Sequence, residues 1–236
     1  ILNVTSDKCY LNDNSGSAYN ESDRLGGHDL YSCSKACSEL ITEAYGRSFL
    51  RMQGINYATG RAGNVIGGGD WASDRLVPDI LKALCGGDTI RIRNQFAIRP
   101  WQHVLEPLSG YLSLAYHLSI GEKCRGEAYN FGPASNQNFT VIDVVKEMSR
   151  HWEKVQWEVN KENNFKESGL LKLNCDKALT DINWEPVWDF QETIFHTVDW
   201  YKTYYEKQTD ILELSIKQIE AYSSAARIKK LSWTNV

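Results

Sequence analysis

The sequence of 236 residues lacks the marks of several protein classes. It has no long run of lysine or arginine and a formal net charge of -4, which argues against nucleic acid or an anionic membrane as a partner. Its apolar stretches are shorter than the roughly 18 residues that a membrane-spanning helix needs. The five histidines show no HxxxH or HExxH spacing and the six cysteines form no CxxC pair, so we expect no metal site.

The cysteines are expected to be reduced thiols in a cytoplasmic protein, because a chain of this size can bury a core without disulfides. Cys33 and Cys37 have helical spacing, which would also suit a redox or metal pair. Buried packing is the stronger interpretation, because thiols behave as small apolar groups. The amino terminus lacks the basic start and apolar core of a signal peptide.

Alternating strand and helix patterns predict an α/β architecture with a partly parallel sheet. The opening residues 1–5 read as the end of a buried strand, followed by a loop at 11–27. Further strands are predicted at 56–65, 89–93, 127–131 and 155–159, and helices at 30–52, 78–84, 104–118, 140–151, 175–182, 189–207 and 210–226.

Tyr31 and Lys35 lie four residues apart in the first predicted helix, so their side chains project from one helix face. A nearby ammonium stabilises a phenolate, and such a pair can remove a hydroxyl proton while hydride leaves the same carbon. The YxxxK spacing is common, however. Taken alone, it is better explained as a solvated helix face.

Ser6, Asp7 and Lys8 follow the opening strand, at the edge where open α/β sheets bind ligands. A hydroxyl, a carboxyl and an amine in consecutive positions can hydrogen-bond a sugar, donate a proton and accept one. Taken alone, this string too is better explained as an ordinary polar turn.

Taken together and in this order, the two motifs favour the functional explanation, because their arrangement resembles that of the extended short-chain dehydrogenase/reductases. Later strings fit the same family: RAGNVIG at 61–67, DRLVP at 74–78, IRPWQHV at 98–104 and YNFG at 129–132. Within the superfamily, the chain resembles the CDP-glucose 4,6-dehydratases in TSDKCY, RAGNVIGGGDW, RLVPDIL and IRPWQHVLEPLSGYL. Other sugar-nucleotide dehydratases tend to carry an acidic pair after the hydroxyl, so Lys8 favours the CDP-sugar branch.

The resemblance implies a lyase of deoxysugar and lipopolysaccharide O-antigen biosynthesis that uses NAD to convert CDP-D-glucose into CDP-4-keto-6-deoxy-D-glucose. Tyr31 would take the proton of the C4 hydroxyl as C4 gives hydride to NAD, and Lys35 would assist Tyr31 and hold the nicotinamide ribose. Ser6 would hydrogen-bond the C4 oxygen, and Asp7 would protonate the departing C6 hydroxyl. Lys8 is the candidate for removing the C5 proton, which requires its neutral amine. Hydride would then return to C6.

Four residues are candidates for binding the sugar nucleotide. Asn64, Arg75 and Arg99 are assigned to its diphosphate and nucleotide, because the planar fork of arginine suits phosphate oxygens. For Arg75 a surface ion pair is an equal alternative. Arg91 would reach the nucleobase or face solvent, and His103 is expected to pack in the core.

The resemblance also predicts the domain organisation. Residues 1–66 would form part of a Rossmann-like NAD-binding domain, to which the chain returns near 95–132. Residues 67–226 would form most of a smaller α/β substrate-binding domain, and 227–236 a tail. Gly67 to Gly69 lack the GxGxxG spacing of a dinucleotide fingerprint, so the amino-terminal half of the Rossmann domain is expected to be missing. A homodimer is implied for the complete protein.

Two other functions stay open. One is a different dehydratase, an epimerase or a decarboxylase of the same superfamily, and the other is a non-catalytic sugar-nucleotide-binding fragment. Asp7 and Lys8 argue against an epimerase, because epimerisation needs no acid and base for elimination. The intact set of Tyr31, Lys35, Ser6 and Asp7 argues against lost catalysis.

Overall fold

A parallel sheet of three strands, drawn from residues 2–131, lies at the centre of the fold around the proposed site. The computed structural model describes residues 1–13, 16–87, 89–92, 94–121, 123–134, 137–155, 157–159, 171–207 and 209–234. The strands are β1 (Leu2–Val4), β2 (Ala18–Tyr19), β3 (Ala58–Ala62), β4 (Val65–Ile66), β5 (Ile90–Ile92), β6 (Ile98–Arg99), β7 (Gln102–His103), β8 (Glu127–Phe131), β9 (Phe139–Thr140), β10 (Trp157–Val159) and β11 (Lys172–Leu173). The helices are α1 (Leu30–Tyr45), α2 (Leu76–Gly86), α3 (Leu105–Ile120), α4 (Val141–His151), α5 (Asp176–Ile182), α6 (Phe190–Glu206) and α7 (Ile211–Ile228). The predicted α/β class is confirmed.

The three-stranded sheet has the order β1-β3-β8. All five residues of β3 are buried, as expected for a parallel strand covered on both faces. Small side chains in β3 let the helices approach closely: a Cβ on Gly60 would lie 2.8 Å from the ring of Tyr111 on α3. The strands run in one direction, so Thr5, Gly63 and Gly132 follow their ends at the same edge of the sheet.

The remaining strands pair in twos. β4 pairs with β7, β5 with β10 and β2 with β11 in parallel, and β6 pairs with β9 antiparallel. The β4–β7 pair places the string RAGNVIG beside IRPWQHV. These two strings, which were assigned from the sequence only through the family resemblance, are therefore neighbours in space.

Helix α1 is longer than its regular part. Asp29 caps it by accepting from the backbone N–H of Ser32, and after Tyr45 it continues through a π-helical turn at Gly46–Leu50 and a 3-10 turn at Arg51–Gln53. A Cβ on Gly46 would lie 2.0 Å from the ring of Tyr57. The predicted helix at 30–52 is thus confirmed, with an irregular last third where a glycine lets this aromatic ring pack against it.

The buried face of α1 differs from the one that its apolar residues suggest. Ser32, Ala36 and Glu39 face the sheet. Leu40 and Phe49 are about half exposed, at 54% and 50%. Cys33 and Cys37 are also exposed, so their predicted burial was wrong, because they project from a different side of α1 than the Ser32–Ala36–Glu39 stripe. None of the six cysteines forms a disulfide.

Two larger cores lie on either side of the β4–β7 pair. One surrounds β3 and β8 and contains Ala58, Leu114, Tyr129, Phe131, Ile182 and Trp184. The other joins α2, α4 and α6 and contains Ile80, Leu81, Val144, Met148, Ile194 and Tyr201. In the predicted tail, Leu231 is buried in a smaller cluster with Trp188 and Tyr222. No helix in the described ranges is long and apolar enough to cross a membrane.

Glu106 is a buried carboxyl that joins α3 to the carboxyl-terminal part of the chain. It accepts the backbone N–H groups of Val187 and Trp188 at 2.9 and 2.8 Å and the hydroxyl of Tyr222 at 2.7 Å. Burial raises the pKa of Glu106 to about 7, although these hydrogen bonds oppose the shift. The nearby His103 is 2% exposed, and burial lowers its pKa to about 3. His103 therefore packs as a neutral ring, as expected.

The free energy of unfolding should depend on the ionisation of Glu106. The unfolded chain ionises this carboxyl near 4.5, whereas the folded chain keeps it protonated up to about 7, so its contribution to stability is lost as pH rises through that interval. In Glu106→Gln, the free energy of unfolding should rise relative to the wild type by about 3 kcal/mol from the lower to the upper pH. Denaturant titrations at several pH values measure this difference. The contribution of His103 to the pH dependence cancels in the comparison, because both proteins contain this residue.

Glu220→Gln is the matched control for that experiment, because Glu220 is exposed on α7. It should show no comparable trend with pH. A difference between Glu106→Gln and the wild type that stays constant from pH 4.5 to 7 would contradict a buried, protonated carboxyl at this position.

Candidate active site

The turn after β1 brings a hydroxyl and a carboxyl together. Ser6 caps the 3-10 turn at Asp7–Cys9, accepting the backbone N–H of Lys8 at 3.2 Å. Its hydroxyl donates to Asp7 Oδ1 at 3.0 Å. Ser6 and Asp7 are buried, at 7% and 3% exposed, and Lys8 is partly buried. The string is therefore more than a solvated polar turn.

Asp7 has the electrostatics of a proton donor. Burial raises the pKa of its carboxyl, and the charge of Lys8, the hydrogen bonds of the turn and the charge of Arg99 only partly oppose the shift. Oδ2 of Asp7 is buried without a hydrogen-bond partner among the described residues. A carboxyl in this environment holds its proton to higher pH than an exposed one and can transfer it to a leaving group.

Gly63 makes room for that carboxyl. A Cβ built on Gly63 would lie 1.9 Å from Asp7 Oδ2 and 2.1 Å from its Cγ. The atoms that would clash belong to the Asp7 carboxyl, which has little room to move because it is 3% exposed and hydrogen-bonded to Ser6. Nothing in the sequence string RAGNVIG marked this glycine, since the contact joins the ends of two different strands.

Gly63→Ala is expected to displace Asp7 or the end of β3, with a loss of about 1–3 kcal/mol in the free energy of unfolding, as for other overpacked sites. Gly121→Ala is the control, because nothing lies within 4 Å of a Cβ there. Denaturant unfolding of both variants measures the effect. Equal stabilities for the two variants would show that the approach of Gly63 to Asp7 carries no constraint.

Tyr31 and Lys35 lie in the first turns of α1, close to the Ser6–Asp7 turn. The Lys35 ammonium lies 5.7 Å from the centre of the Tyr31 ring, so the two side chains share a face, as the spacing predicts. Tyr31 is 56% exposed and its ring is open to a ligand. Hydrogen bonds from Ser32, together with the charge of Lys8, lower the pKa of Asp29, the cap residue of α1. The charge of Lys8 thus acts on the start of the helix that carries Tyr31.

Of the four predicted substrate-binding residues, only some lie near Asp7 in the structure. Arg99 is partly buried, and its charge acts on Asp7. Asn64 directly follows Gly63, with a left-handed backbone φ of 52°. Arg75 is exposed and donates to Asp70 at 3.2 Å, so the structure shows the surface ion pair that the sequence left as an alternative. Arg91 belongs to β5, and its side chain lies outside the described part of the structure.

Gln102 joins the strand ends beneath this site. Its Nε2 donates to the carbonyl oxygens of Gly63 and Phe131, both at 3.0 Å, and its backbone N–H donates to Asn64 at 3.2 Å. The side chain is 1% exposed. It holds the ends of β3 and β8 at a fixed separation, a role that no local sequence pattern indicated.

The glycine-rich loop at 67–75 is anchored on α6. The hydroxyl of Tyr201 donates to the carbonyl of Asp70 at 2.6 Å and accepts its N–H at 2.9 Å. A Cβ on Gly68 would lie 2.1 Å from the Trp200 ring, and Trp71 packs edge-on against Tyr201. The glycines therefore allow close packing of the loop against α6. Within the described residues, no group of His, Cys, Asp and Glu is arranged to hold a metal ion.

Comparison with known proteins assigns the family. Residues 1–197 match the family described as GDP-mannose 4,6 dehydratase. The chain belongs to this family. Among curated members of this 4,6-dehydratase group, the chain is 42% identical over 231 residues to the CDP-glucose 4,6-dehydratase of Salmonella typhimurium, covering 95% of the chain and 64% of that protein. It is 25% identical over 206 residues to a dTDP-glucose 4,6-dehydratase of Streptomyces antibioticus, covering 86% and 57%. The chain thus spans less than two thirds of the length of these relatives.

Solved structures share the fold of this 4,6-dehydratase family member. The dTDP-glucose 4,6-dehydratase of Bacillus anthracis in complex with NAD superposes with a TM-score of 0.68 at 22% identity, covering 87% of the chain and 62% of that structure. The UDP-glucuronic acid 4-epimerase of Bacillus cereus in complex with UDP-glucuronic acid and NAD gives 0.73 at 16% identity, covering 86% and 62%. The resemblance to the dehydratase and epimerase fold is confirmed, and this fold accommodates both reaction types.

Proposed function

We propose that the protein catalyses the NAD-dependent dehydration of a nucleotide-hexose, converting CDP-D-glucose into CDP-4-keto-6-deoxy-D-glucose. The observation that carries the proposal is the buried Asp7 carboxyl with a raised pKa, hydrogen-bonded to Ser6 beside the helix of Tyr31 and Lys35. Elimination of water needs such an acid, whereas oxidation or epimerisation alone does not. The similarity to the Salmonella CDP-glucose 4,6-dehydratase supports the choice of sugar nucleotide.

The residues present fit the nicotinamide half of NAD. Tyr31 is exposed, and the Lys35 ammonium lies over its ring at the end of the sheet where open α/β folds bind ligands. Both side chains would hold the nicotinamide ribose. NAD, when bound, would supply the hydride acceptor and donor that the overall reaction requires. The dehydratase of Bacillus anthracis was crystallised with NAD, which supports this cofactor.

The first proton transfer is assigned to Tyr31. Its phenol oxygen would take the proton of the C4 hydroxyl, with the Lys35 ammonium stabilising the phenolate that does so. Ser6, already fixed by the N–H of Lys8, would hydrogen-bond the C4 oxygen and orient it. The C4 ketone that results acidifies the neighbouring C5 position.

The elimination is assigned to Asp7 and Lys8. Asp7 would give its proton to the departing C6 hydroxyl, a transfer that its raised pKa favours. Lys8 would remove the C5 proton, which would leave its ammonium beside the new carboxylate of Asp7 after water leaves. The two groups are consecutive on one 3-10 turn, so the backbone of that turn holds them close together beside the proposed sugar site.

The substrate is proposed to bind through Asn64 and Arg99 beside Asp7, with Arg75 leaving its ion pair with Asp70 to reach the diphosphate. Arg91 is proposed for the nucleobase. Residues 1–66 would form part of the NAD-binding domain, and the pairing of β8 with β3 supports a return of the chain to it near 95–132. Residues 67–226 would form most of the substrate-binding domain.

The remaining proposals rest on the family resemblance. The protein would act in the cytoplasm as a homodimer, and its product would serve deoxysugar synthesis for lipopolysaccharide O-antigen. An epimerase is the alternative enzyme, supported by the likeness to the Bacillus cereus 4-epimerase. A buried acid at Asp7 favours the dehydratase over this alternative.

The proposed function is tested by incubating NAD with CDP-, UDP-, dTDP- and GDP-linked hexoses and measuring loss of one water by mass spectrometry. The chain is compared with a fusion in which an upstream half taken from a relative precedes Ile1. We expect CDP-glucose alone to lose water. Conversion of a sugar nucleotide into an isomer of unchanged mass would favour the epimerase instead, and no change with either protein would exclude both enzymes.

A further inference from the structure

A buried ion pair lies between α1 and the central strand of the sheet. The side chains of Glu39 and Arg61 are each 4% exposed, and Arg61 NH2 donates to Glu39 Oε2 at 2.9 Å. Burial alone raises the pKa of Glu39, but hydrogen bonds and charge from Arg61, with hydrogen bonds from two threonines, lower it overall. Glu39 is therefore a carboxylate inside the fold, fully surrounded by donors.

The two threonines belong to the strand ends. Thr59 on β3 donates to Glu39 Oε2 at 2.7 Å, and the hydroxyl of Thr5 donates to Oε1. Thr5 directly precedes Ser6, and its backbone N–H donates to the Gly60 carbonyl of β3 at 2.9 Å. The carboxylate of α1 thus contacts the residue next to the proposed acid turn.

Arg61 extends the network to the third strand. Its NH1 donates to the hydroxyl of Tyr10 at 2.8 Å and to the carbonyl of Glu21 at 3.1 Å. The hydroxyl of Tyr10 donates in turn to Asn130 Oδ1 on β8 at 2.7 Å. One carboxylate on the helix is therefore connected to β1, β3 and β8.

Such a network constrains position more than it adds stability. Buried ion pairs gain little over apolar side chains of the same size, because both charges lose their hydration. A misplaced pair, however, leaves charges unsatisfied in the interior, so displacement of the helix is strongly opposed. Glu39 follows Lys35 by one helical turn and Tyr31 by two, so it anchors α1 close to both residues.

We propose that Glu39 is a positioning residue that fixes α1 against the strand ends, so that Tyr31 and Lys35 meet the same sugar as Ser6 and Asp7. The inference rests on the proposed dehydration. The two pairs of groups lie on separate elements. Glu39 belongs to the helix of Tyr31 and Lys35, and its carboxylate accepts from Thr5, next to the Ser6–Asp7 turn, and from Arg61 of β3. The pair acts through geometry and does not touch the substrate.

The test compares Glu39→Gln with Thr42→Val in the protein that dehydrates its substrate. Thr42 lies on the same helix and accepts a hydrogen bond from Asn3 of β1 at 2.7 Å, so its loss also weakens the helix–sheet contact but leaves no buried charge. Glu39→Gln should lower kcat about 10- to 100-fold, the effect of a misplacement of about 1 Å, with KM changed less than about twofold. Thr42→Val should leave both constants within about twofold.

Amide hydrogen exchange supplies a readout that does not depend on activity. In Glu39→Gln, the first turns of α1 should exchange about tenfold faster or more, while α4 and α6 keep their wild-type rates. The primary deuterium isotope effect for C4-labelled substrate should also increase, because the misaligned step becomes rate-limiting. A purely structural role would lower the folded fraction but leave kcat per folded molecule and the isotope effect unchanged, which would overturn the proposal.

The outcomes separate this inference from the proposed function. If the wild-type protein dehydrates no sugar nucleotide, the proposed function fails. Independently of that result, the positioning role is overturned if the amides of α1 exchange at wild-type rates in Glu39→Gln. If Glu39→Gln does not fold, Glu39→Asp replaces it, because it keeps the charge with a shorter reach. Glu39→Asp should then show faster exchange in α1 and a lower kcat, and wild-type values for both would overturn the proposal.

Discussion

Tyr31→Phe is expected to lower kcat for dehydration of the sugar nucleotide by a factor of about 10²–10⁴, the usual contribution of a positioned general base. The variant loses the oxygen that would take the C4 hydroxyl proton and keeps the ring beneath Lys35. Because Tyr31 is 56% exposed, the free energy of unfolding should stay within about 0.5 kcal/mol of the wild type. Steady-state kinetics by mass spectrometry and denaturant unfolding give both quantities.

Tyr45→Phe is the matched control. Tyr45 is also exposed on α1, at 55%, and its ring packs on Phe49, so the substitution removes a hydroxyl from the same helix without touching the site. Its kcat should be that of the wild type. If Tyr31→Phe turned over substrate at the wild-type rate, Tyr31 would not be the general base, and the YxxxK motif would not be catalytic in this protein.

Asp7→Asn should lose the elimination but keep the oxidation at C4, with kcat for water loss lowered about 10²–10⁴-fold. An amide cannot give a proton to the C6 hydroxyl. The reduced cofactor should therefore accumulate, which its absorbance reports, while mass spectrometry shows no loss of water. Loss of both half-reactions in a folded variant would mean that Asp7 orients the substrate instead of donating a proton.

The same substitution should stabilise the fold at alkaline pH. The pKa of Asp7 is raised by burial, so its contribution to folding is present at low pH and is lost as pH rises through the folded-state value. Asn carries no charge to desolvate, and Asp7→Asn should therefore unfold at higher denaturant concentration than the wild type near pH 8. Asp176→Asn, at an exposed position at the start of α5, should keep the wild-type kcat and should show no gain in stability near pH 8, because its carboxylate favours the helix N-terminus. A less stable Asp7→Asn at that pH would contradict the raised pKa.

Much of the secondary structure could be predicted because its signals are local. Asp29 caps α1, Thr140 forms a capping box with Asp143 at α4, and Gly87 ends α2 with a left-handed φ of 78°. Each of these acts within one helical turn. The two-residue pairs β4–β7 and β6–β9 escaped prediction, because each joins segments that are distant in the chain and too short to show a period.

The site residues could be predicted, but not their environment. The order of Ser6, Asp7, Tyr31 and Lys35 identified the groups, since their chemistry depends on residue type and spacing. The shift in the pKa of Asp7 depends on burial, which arises from strand ends that meet only in the fold. The exposure of Cys33 and Cys37 could not be read from helical spacing either, because spacing does not say which side of a helix faces the sheet.

The sequence by itself determined the helices, the longer strands and the motif residues, because backbone preferences and side-chain chemistry are properties of short segments. Only the tertiary structure decided that Gly63 must lack a Cβ beside Asp7 and that Gln102 ties two strand ends together. It also decided that the Glu39 carboxylate meets Arg61 and Thr5. These contacts join residues tens of positions apart, and their energies come from close packing and lost hydration, which exist only once the chain has folded.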